Sequence, residues 1–205
     1  GELIYTTATT QTADISGTHP ASGSQWQFTA GELTQRCVED FVDIGAGLAG
    51  VAVGDVAWGD FDGDGDLDIV MGGLNGGEPA LTLYRNDGEG GFNAVNTGVE
   101  ALRGGRVAWG DYDNDGDLDL LVAGETAGNE QVARLYRNDG GAFVENTSAG
   151  IGGAAFGSVA WGDYDNDGDL DLLIAGQTGS VAANSVTKLF RNDGNGVFTE
   201  VPVPF

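Results

Sequence analysis

The 205-residue sequence holds one cysteine, Cys37, one histidine, His19, four prolines and only eight lysines and arginines together. A single cysteine cannot form an internal disulfide, so redox chemistry does not staple this fold, and Cys37 reads as a small buried hydrophobe. His19 lies in a weakly patterned stretch and reads as a surface or turn residue; no paired acid, base or nucleophile constellation accompanies it, so the chain is not expected to be an enzyme. The few basic residues face 32 Asp and Glu, giving a formal charge of −24. Such a chain repels phosphate backbones and anionic lipid surfaces, which excludes nucleic acid and membranes as partners. No apolar run approaches the roughly 18 residues of a membrane-spanning helix. Gly1 to Tyr5 show no charged start followed by an apolar core, so no signal peptide is visible, as would equally hold for a processed or excised chain.

What is abundant is glycine, 37 residues or about 18%, against about 7% in ordinary proteins. With so little proline the excess implies neither collagen nor a Pro-rich linker, but many tight turns. Self-comparison shows why. Val107 to Gly124 recurs almost letter for letter as Val159 to Gly176, and with small changes as Val56 to Gly73. Trp58, Trp109 and Trp161 are 51 and 52 residues apart. A second block, Leu83 to Gly88, returns as Leu135 to Gly140 and Leu189 to Gly194, and each is followed by a Phe, at Phe92, Phe143 and Phe198. A period near 50 indicates a propeller or a comparable array.

Within one period the local signals are all β. Val107 to Trp109 reads as a short strand, Leu118 to Ala123 as a buried one, Gln131 to Arg137 as an alternating one and Phe143 to Asn146 as a fourth. The Asn-Asp-Gly block reads as a hairpin turn, because these residues tolerate positive φ. Four short strands per period make one propeller blade. The predicted class is therefore an all-β propeller of four-stranded blades, about four in this chain. The units are a divergent one at 1–55 and regular ones at 56–106, 107–158 and 159–205. In the first, Leu33 to Ile44 supplies the last two strands, with a divergent pair around Trp26 and Phe28. The in-phase tryptophans read as core, and Arg85, Arg137 and Arg191 as partners for carboxylates or strand-end carbonyls.

The chemistry lies in three loops: Asp60, Asp62, Asp64, Asp66 and Asp68; Asp111, Asp113, Asp115, Asp117 and Asp119; and Asp163, Asp165, Asp167, Asp169 and Asp171. Two charges about 4 Å apart repel by about 1 kcal/mol even in bulk water, and a hard divalent cation removes that cost. Positions 1, 3 and 5 can curl around a Ca²⁺, with a backbone carbonyl at position 7 and a carboxylate at position 9 completing the shell. Oxygen-only ligands exclude zinc and copper. Gly65, Gly116 and Gly168 at position 6 permit the sharp turn, and Gly63, Asn114 and Asn166 at position 4 tolerate left-handed backbone. Leu67, Leu118 and Leu170 are expected to turn inward and tie each loop to its sheet. The pattern is not an EF-hand, since position 12 is Met71, Val122 or Ile174 instead of a bidentate Glu, and strands flank the loop.

The run Val-Ala-Trp-Gly-Asp-Tyr-Asp-Asn-Asp-Gly-Asp-Leu-Asp-Leu-Leu at 107–121, with Leu-Tyr-Arg-Asn-Asp-Gly downstream, resembles the FG-GAP or VCBS repeat of integrin α-subunit propellers and of many large bacterial surface and secreted proteins. The resemblance covers residues 56 to 200 strongly and 33 to 55 weakly. It implies an extracellular β-propeller, usually of seven or eight blades, with calcium in the loop between a blade's first two strands. Carried over, three calcium sites take side chains from Asp60, Asp62, Asp64 and Asp68, from Asp111, Asp113, Asp115 and Asp119, and from Asp163, Asp165, Asp167 and Asp171. Asp66, Asp117 and Asp169 offer main-chain oxygen. The Phe-Gly that names the family survives only as Phe156-Gly157, which favours the microbial branch.

Four units are fewer than the usual ring. The chain is then a piece of a longer propeller, or one of two copies that complete eight blades, or a small four-bladed ring. The functions implied are a calcium-stabilised, extracellular or cell-surface module that binds protein or carbohydrate, a structural subunit of a surface assembly or filament, or a non-catalytic part of a polysaccharide-acting enzyme. Ligand-specific residues are expected in the segments that differ between repeats, Leu74 to Pro79, Glu125 to Glu130 and Gln177 to Asn184. Asn146-Thr-Ser148 matches a glycosylation acceptor.

Overall fold

Each repeat alternates short apolar runs with turns that glycine and asparagine take without strain, and each folds into four strands. The computed structural model describes residues 43–179, 184–194 and 196–202. The expected strands of the divergent first unit, with Cys37, His19, Trp26 and Phe28, lie outside the described residues. A unit that begins at Gly45 contains every described strand. The first blade comprises β1 (Ala52–Gly59), β2 (Asp68–Asn75), β3 (Glu78–Asn86) and β4 (Phe92–Val95). The second comprises β5 (Arg103–Gly110), β6 (Asp119–Glu125), β7 (Gln131–Asp139) and β8 (Ala142–Glu145). The third comprises β9 (Ala155–Gly162), β10 (Asp171–Gln177), β11 (Ser185–Asn192) and β12 (Phe198–Val201). Within each blade the strands are antiparallel and paired in sequence order. The described part is thus all-β, three four-stranded sheets of the β-propeller type that do not close into a ring.

The opening strands begin about four residues before the Val-Ala-Trp signal, in a stretch where Gly54, Gly104, Gly105 and Gly157 interrupt the strand pattern. A bulge makes this possible. In β1 and β5 the register shifts between Ala52 and Asp55 and between Arg103 and Arg106. The residue after the first pairing is left-handed in all three blades: Val53 at φ 50°, Gly104 at φ 60° and Phe156 at φ 56°.

The core forms between blades, not within them. Phe61, Val70 and Leu83 of the first blade pack with Leu120, Val122 and Tyr136 of the second. Tyr112, Leu121 and Leu135 of the second pack with Leu172, Phe190 and Phe198 of the third. The middle blade is therefore covered on both faces, and β6 is buried from Asp119 to Gly124. Arg106 stitches the three opening strands together, donating from Nε to the carbonyl of Gly157 and from Nη1 to that of Gly54.

Two expectations need correction. Trp58 is not core: it is 57% exposed, whereas Trp109 and Trp161 are half-buried against the preceding blade. The in-phase indole packs on a neighbour's glycine, and no described blade precedes the first. Leu67 does not turn inward either, being 55% exposed, and Leu118 and Leu170 are only half-buried. The aromatic residue at position 2 does that work, with Phe61 and Tyr112 both buried.

Candidate metal centres

The acidic loops join β1 to β2, β5 to β6 and β9 to β10, all at the same end of their blades. The Gly before each loop pairs with the Asp at its position 9: Gly59 with Asp68, Gly110 with Asp119 and Gly162 with Asp171. Between these anchors the chain must reverse sharply. It does so through left-handed residues at position 4 (Gly63, φ 71°; Asn114, φ 59°; Asn166, φ 63°) and position 6 (Gly65, φ 96°; Gly116, φ 98°; Gly168, φ 97°).

That turn aims backbone amides inward, where carboxylates collect them. At position 1, Asp60 accepts from the amides of Asp64 (3.1 Å) and Gly65 (3.0 Å). Asp111 and Asp163 repeat this pair with Asp115 and Gly116, and with Asp167 and Gly168. At position 5, Asp64, Asp115 and Asp167 each accept from the amide two residues on. At position 9 the carboxylate is a strap. Asp119 accepts from the amides of Tyr112 (3.1 Å) and Asn138 (2.9 Å), tying loop to hairpin, and Asp68 and Asp171 do the same.

Three groups of oxygens converge: Asp60, Asp62 and Asp68; Asp111, Asp113 and Asp115; and Asp163, Asp165 and Asp171. Within each group one oxygen per residue lies within 4.8 Å of the others. Two ligands of one Ca²⁺, each at about 2.4 Å, stand at most about 4.8 Å apart, so each group could hold such an ion. Asp64, Asp119 and Asp167 stand outside the group of their own loop, although their counterparts in another loop belong to one. Asp66, Asp117 and Asp169 stand outside in all three. Their side chains serve other contacts: Asp117 accepts from the Gly140 amide at 3.1 Å, Asp169 accepts from Asn114 Nδ2 at 2.7 Å, and Asp66 lies against Gly88.

The buried polar atoms test whether a cation fits. Asp62 Oδ1 and Asp113 Oδ1, both at position 3, are buried without any hydrogen-bond partner. An orphaned anionic oxygen in a group of carboxylates is costly unless a cation meets it. The electrostatics agree. Burial pushes the Asp119 carboxyl up to about 7, against the pull of the Asn138 and Tyr112 amides. Asp68 is raised by burial first, and Asp113 and Asp165 by burial and then by the charges of Asp115 and Asp167.

Two contributors escaped the sequence reading. One is the position-2 aromatic. The other is the Asn of each Arg-Asn-Asp-Gly block, which is a clamp as well as a turn residue: its Nδ2 reaches carbonyls while its Oδ1 caps the hairpin turn by accepting from the amide of Gly88, Gly141 or Gly194. Asn138 Nδ2 donates to Leu118 O and to Phe61 O in the preceding blade, and Asn192 repeats this with Leu170 O and Tyr112 O. Both recur in phase, which was the available signal. The recurring arginines do meet carboxylates: Arg85 with Asp62 at 3.9 Å, Arg137 with Asp139 at 3.5 Å and Arg191 with Asp193 at 2.8 Å. The Asn146 amide is occupied by Gly196 O at 2.7 Å and by Tyr112 Oη at 3.4 Å, so the glycosylation signal is built into an inter-blade contact.

Antiparallel blades, stacked face to face with an aspartate loop after each opening strand, define a β-propeller-type repeat protein with candidate metal loops. The chain belongs to the FG-GAP-like repeat family, whose profile matches residues 60–122 and again 111–174, together more than half of the sequence. No curated protein is found to match it. Among the described residues no helix is long and apolar enough to cross a membrane.

Proposed function

We propose that the three loops bind calcium and that the chain is a calcium-stabilised extracellular or cell-surface module that recognises a protein or a carbohydrate. The observation that carries the metal reading is the orphaned position-3 oxygen of Asp62 and Asp113, set among convergent carboxylates that a hard cation would satisfy. Extracellular modules bind with dissociation constants of roughly 0.1 to 1 mM, so at tenfold excess each site adds about 1.4 kcal/mol and three add about 4. Submicromolar calcium would leave such sites empty, which supports a location outside the cytosol.

Calcium in this reading stiffens blades and takes no part in turnover. Its loops share one blade end with the β3–β4, β7–β8 and β11–β12 turns. The segments that vary between repeats are at the opposite end. They run from the two-residue turn at Gly76-Gly77 to the longer Thr126–Glu130 loop, which Thr126 closes on the Glu130 carbonyl at 2.8 Å. Recognition is assigned to that variable end. Thermal unfolding of the 205-residue chain in calcium and in chelator tests the metal. A melting temperature unchanged by calcium refutes it. A protein and glycan screen with and without calcium tests the ligand, and turnover of a polysaccharide in that screen would replace the binding reading by an enzymatic one.

A further inference from the structure

Neighbouring blades meet through one repeated interface. Inside the stack that interface occurs twice. Trp109 lies on Gly59 so closely that a Cβ there would stand 2.6 Å from the indole, and Trp161 lies on Gly110 with 2.8 Å. Asn138 and Asn192 reach back to the carbonyls of Phe61 and Tyr112 at 2.6 and 2.7 Å. Under these contacts Phe61 and Tyr112 are 4% and 3% exposed, and Val70 and Leu121 are fully buried.

At the third blade the same positions stand open. A Cβ on Gly162 would meet nothing within 4 Å. Tyr164, in phase with Phe61 and Tyr112, is 45% exposed, and Leu173, in phase with Val70 and Leu121, is 43% exposed. They border a recess of about 380 Å³ that Trp161 and Leu189 also line. At the first blade the converse holds. Trp58 projects beside its own Phe92 and is more than half exposed. Among the described residues Asn86 makes only the within-blade half of the clamp, to Leu67 O at 3.1 Å.

We propose that the β9–β12 blade of one molecule receives the β1–β4 blade of a second copy, Trp58 lying on Gly162 and Asn86 Nδ2 donating to Tyr164 O. The intermolecular contact continues, head to tail, the interface that joins blades within the chain. A second copy is the occupant because the recess repeats the surface to which Trp109 and Trp161 are fitted, and Trp58 is the in-phase indole that this same chain exposes. With each copy at −24, apolar burial and the clamp drive association against mutual repulsion, so salt that screens charge strengthens it. The contact is heterologous and either closes into a ring or propagates. It stands apart from the calcium reading.

Sedimentation of the 205-residue chain from micromolar to hundreds of micromolar tests it. The wild type is expected at twice the monomer mass or more at the upper concentrations. Gly162→Leu fills the recess, Trp58→Ala removes the indole, and each weakens assembly at least tenfold. Leu173→Arg, on an already exposed position, blocks the same recess should Gly162→Leu not fold. The decisive arm mixes a recess variant with Trp58→Ala. One supplies the indole and the other an intact recess, so a one-to-one dimer returns although neither assembles alone. A wild type that stays monomeric throughout, variants that assemble as the wild type does, or a mixture that restores nothing would each overturn the proposal.

Discussion

Asn138 donates its side-chain amide to the main-chain carbonyl of Phe61 across 77 positions of sequence, at 2.6 Å and fully buried. The same side chain donates to Leu118 O and accepts from the Gly141 amide, so three bonds meet on one residue at the seam between blades. Asn138→Ala would strand two carbonyls and an amide. Each orphan costs about 1–3 kcal/mol before water re-enters, so a loss of about 3 kcal/mol in denaturant unfolding is expected. Asn86→Ala, in the half-buried first-blade copy, should cost clearly less, and equal losses would show that the inter-blade bond contributes little.

Gly59→Ala and Gly110→Ala test the indole seats. In both, the new Cβ would stand under 3 Å from a tryptophan ring, so the blades must separate slightly. Overpacking of this kind costs about 1–3 kcal/mol. The corresponding melting temperatures should fall together, and an unchanged value for either would show that the tryptophan is not seated as described.

Period, strand count and loop position were legible because they rest on spacing, and a blade repeated three times gives the same spacing three times. What was not legible was which neighbour each side chain meets. Leu67 and Phe61 are both apolar residues of one acidic loop, and nothing local says that Phe61 is buried while Leu67 faces solvent. That choice is made by the next blade, whose Phe143 packs on Phe61 with ring centroids 6.1 Å apart. Trp58 illustrates the same point from the other side, since it matches Trp109 in sequence and differs only in what lies behind it. The carboxylate pattern announced a candidate cation site. The orphaned oxygens of Asp62 and Asp113 needed coordinates, because orphanhood depends on which amides the loop does not supply.

Asp113→Asn separates the two effects of a position-3 carboxylate. In the metal-free chain it removes a buried negative charge beside Asp111 and Asp115, and stability should rise by up to about 1 kcal/mol. In saturating calcium it removes a ligand, and of about 4 kcal/mol supplied by three sites about 1.4 should vanish. Calorimetry in both conditions reads the two signs at once. A variant that loses stability without metal and keeps the full calcium response would count against the site.

Val53 holds a β-branched side chain at φ 50°, where the middle blade has Gly104 at φ 60°. Left-handed backbone costs an L-residue about 1–2 kcal/mol, more than the roughly 0.5–1 kcal/mol of chain entropy that glycine forfeits. Val53 is 58% exposed, so little burial is lost on truncation. Val53→Gly should therefore gain about 0.5–1 kcal/mol. The reverse change, Gly104→Val, adds strain and sets a Cβ 2.7 Å from the Phe156 ring, so it should lose more than Val53→Gly gains.

The pH dependence of the metal-free chain should have the opposite slope to that of calcium binding. Asp119 titrates near 7 when folded and near its ordinary 3.8 when unfolded, so between those values the folded chain holds a proton that the unfolded chain has lost. Stability then falls as pH rises through this window, is fully reduced above about 7, and is recovered toward pH 4. Asp68, Asp113 and Asp165 are raised as well and act in the same sense. Asp87, lowered by the Gly91 and Glu89 amides, acts only below its ordinary range and leaves the window untouched. Calcium must displace the protons of Asp68, Asp113 and Asp165, which belong to the converging groups, so its contribution grows as pH rises. Metal-stripped protein is expected to melt at a higher temperature at pH 5.5 than at pH 7.5, while the increment from added calcium is larger at pH 7.5. A stripped chain that gains stability on going from 5.5 to 7.5 would mean that the loop carboxylates are already ionised and neutralised without a metal.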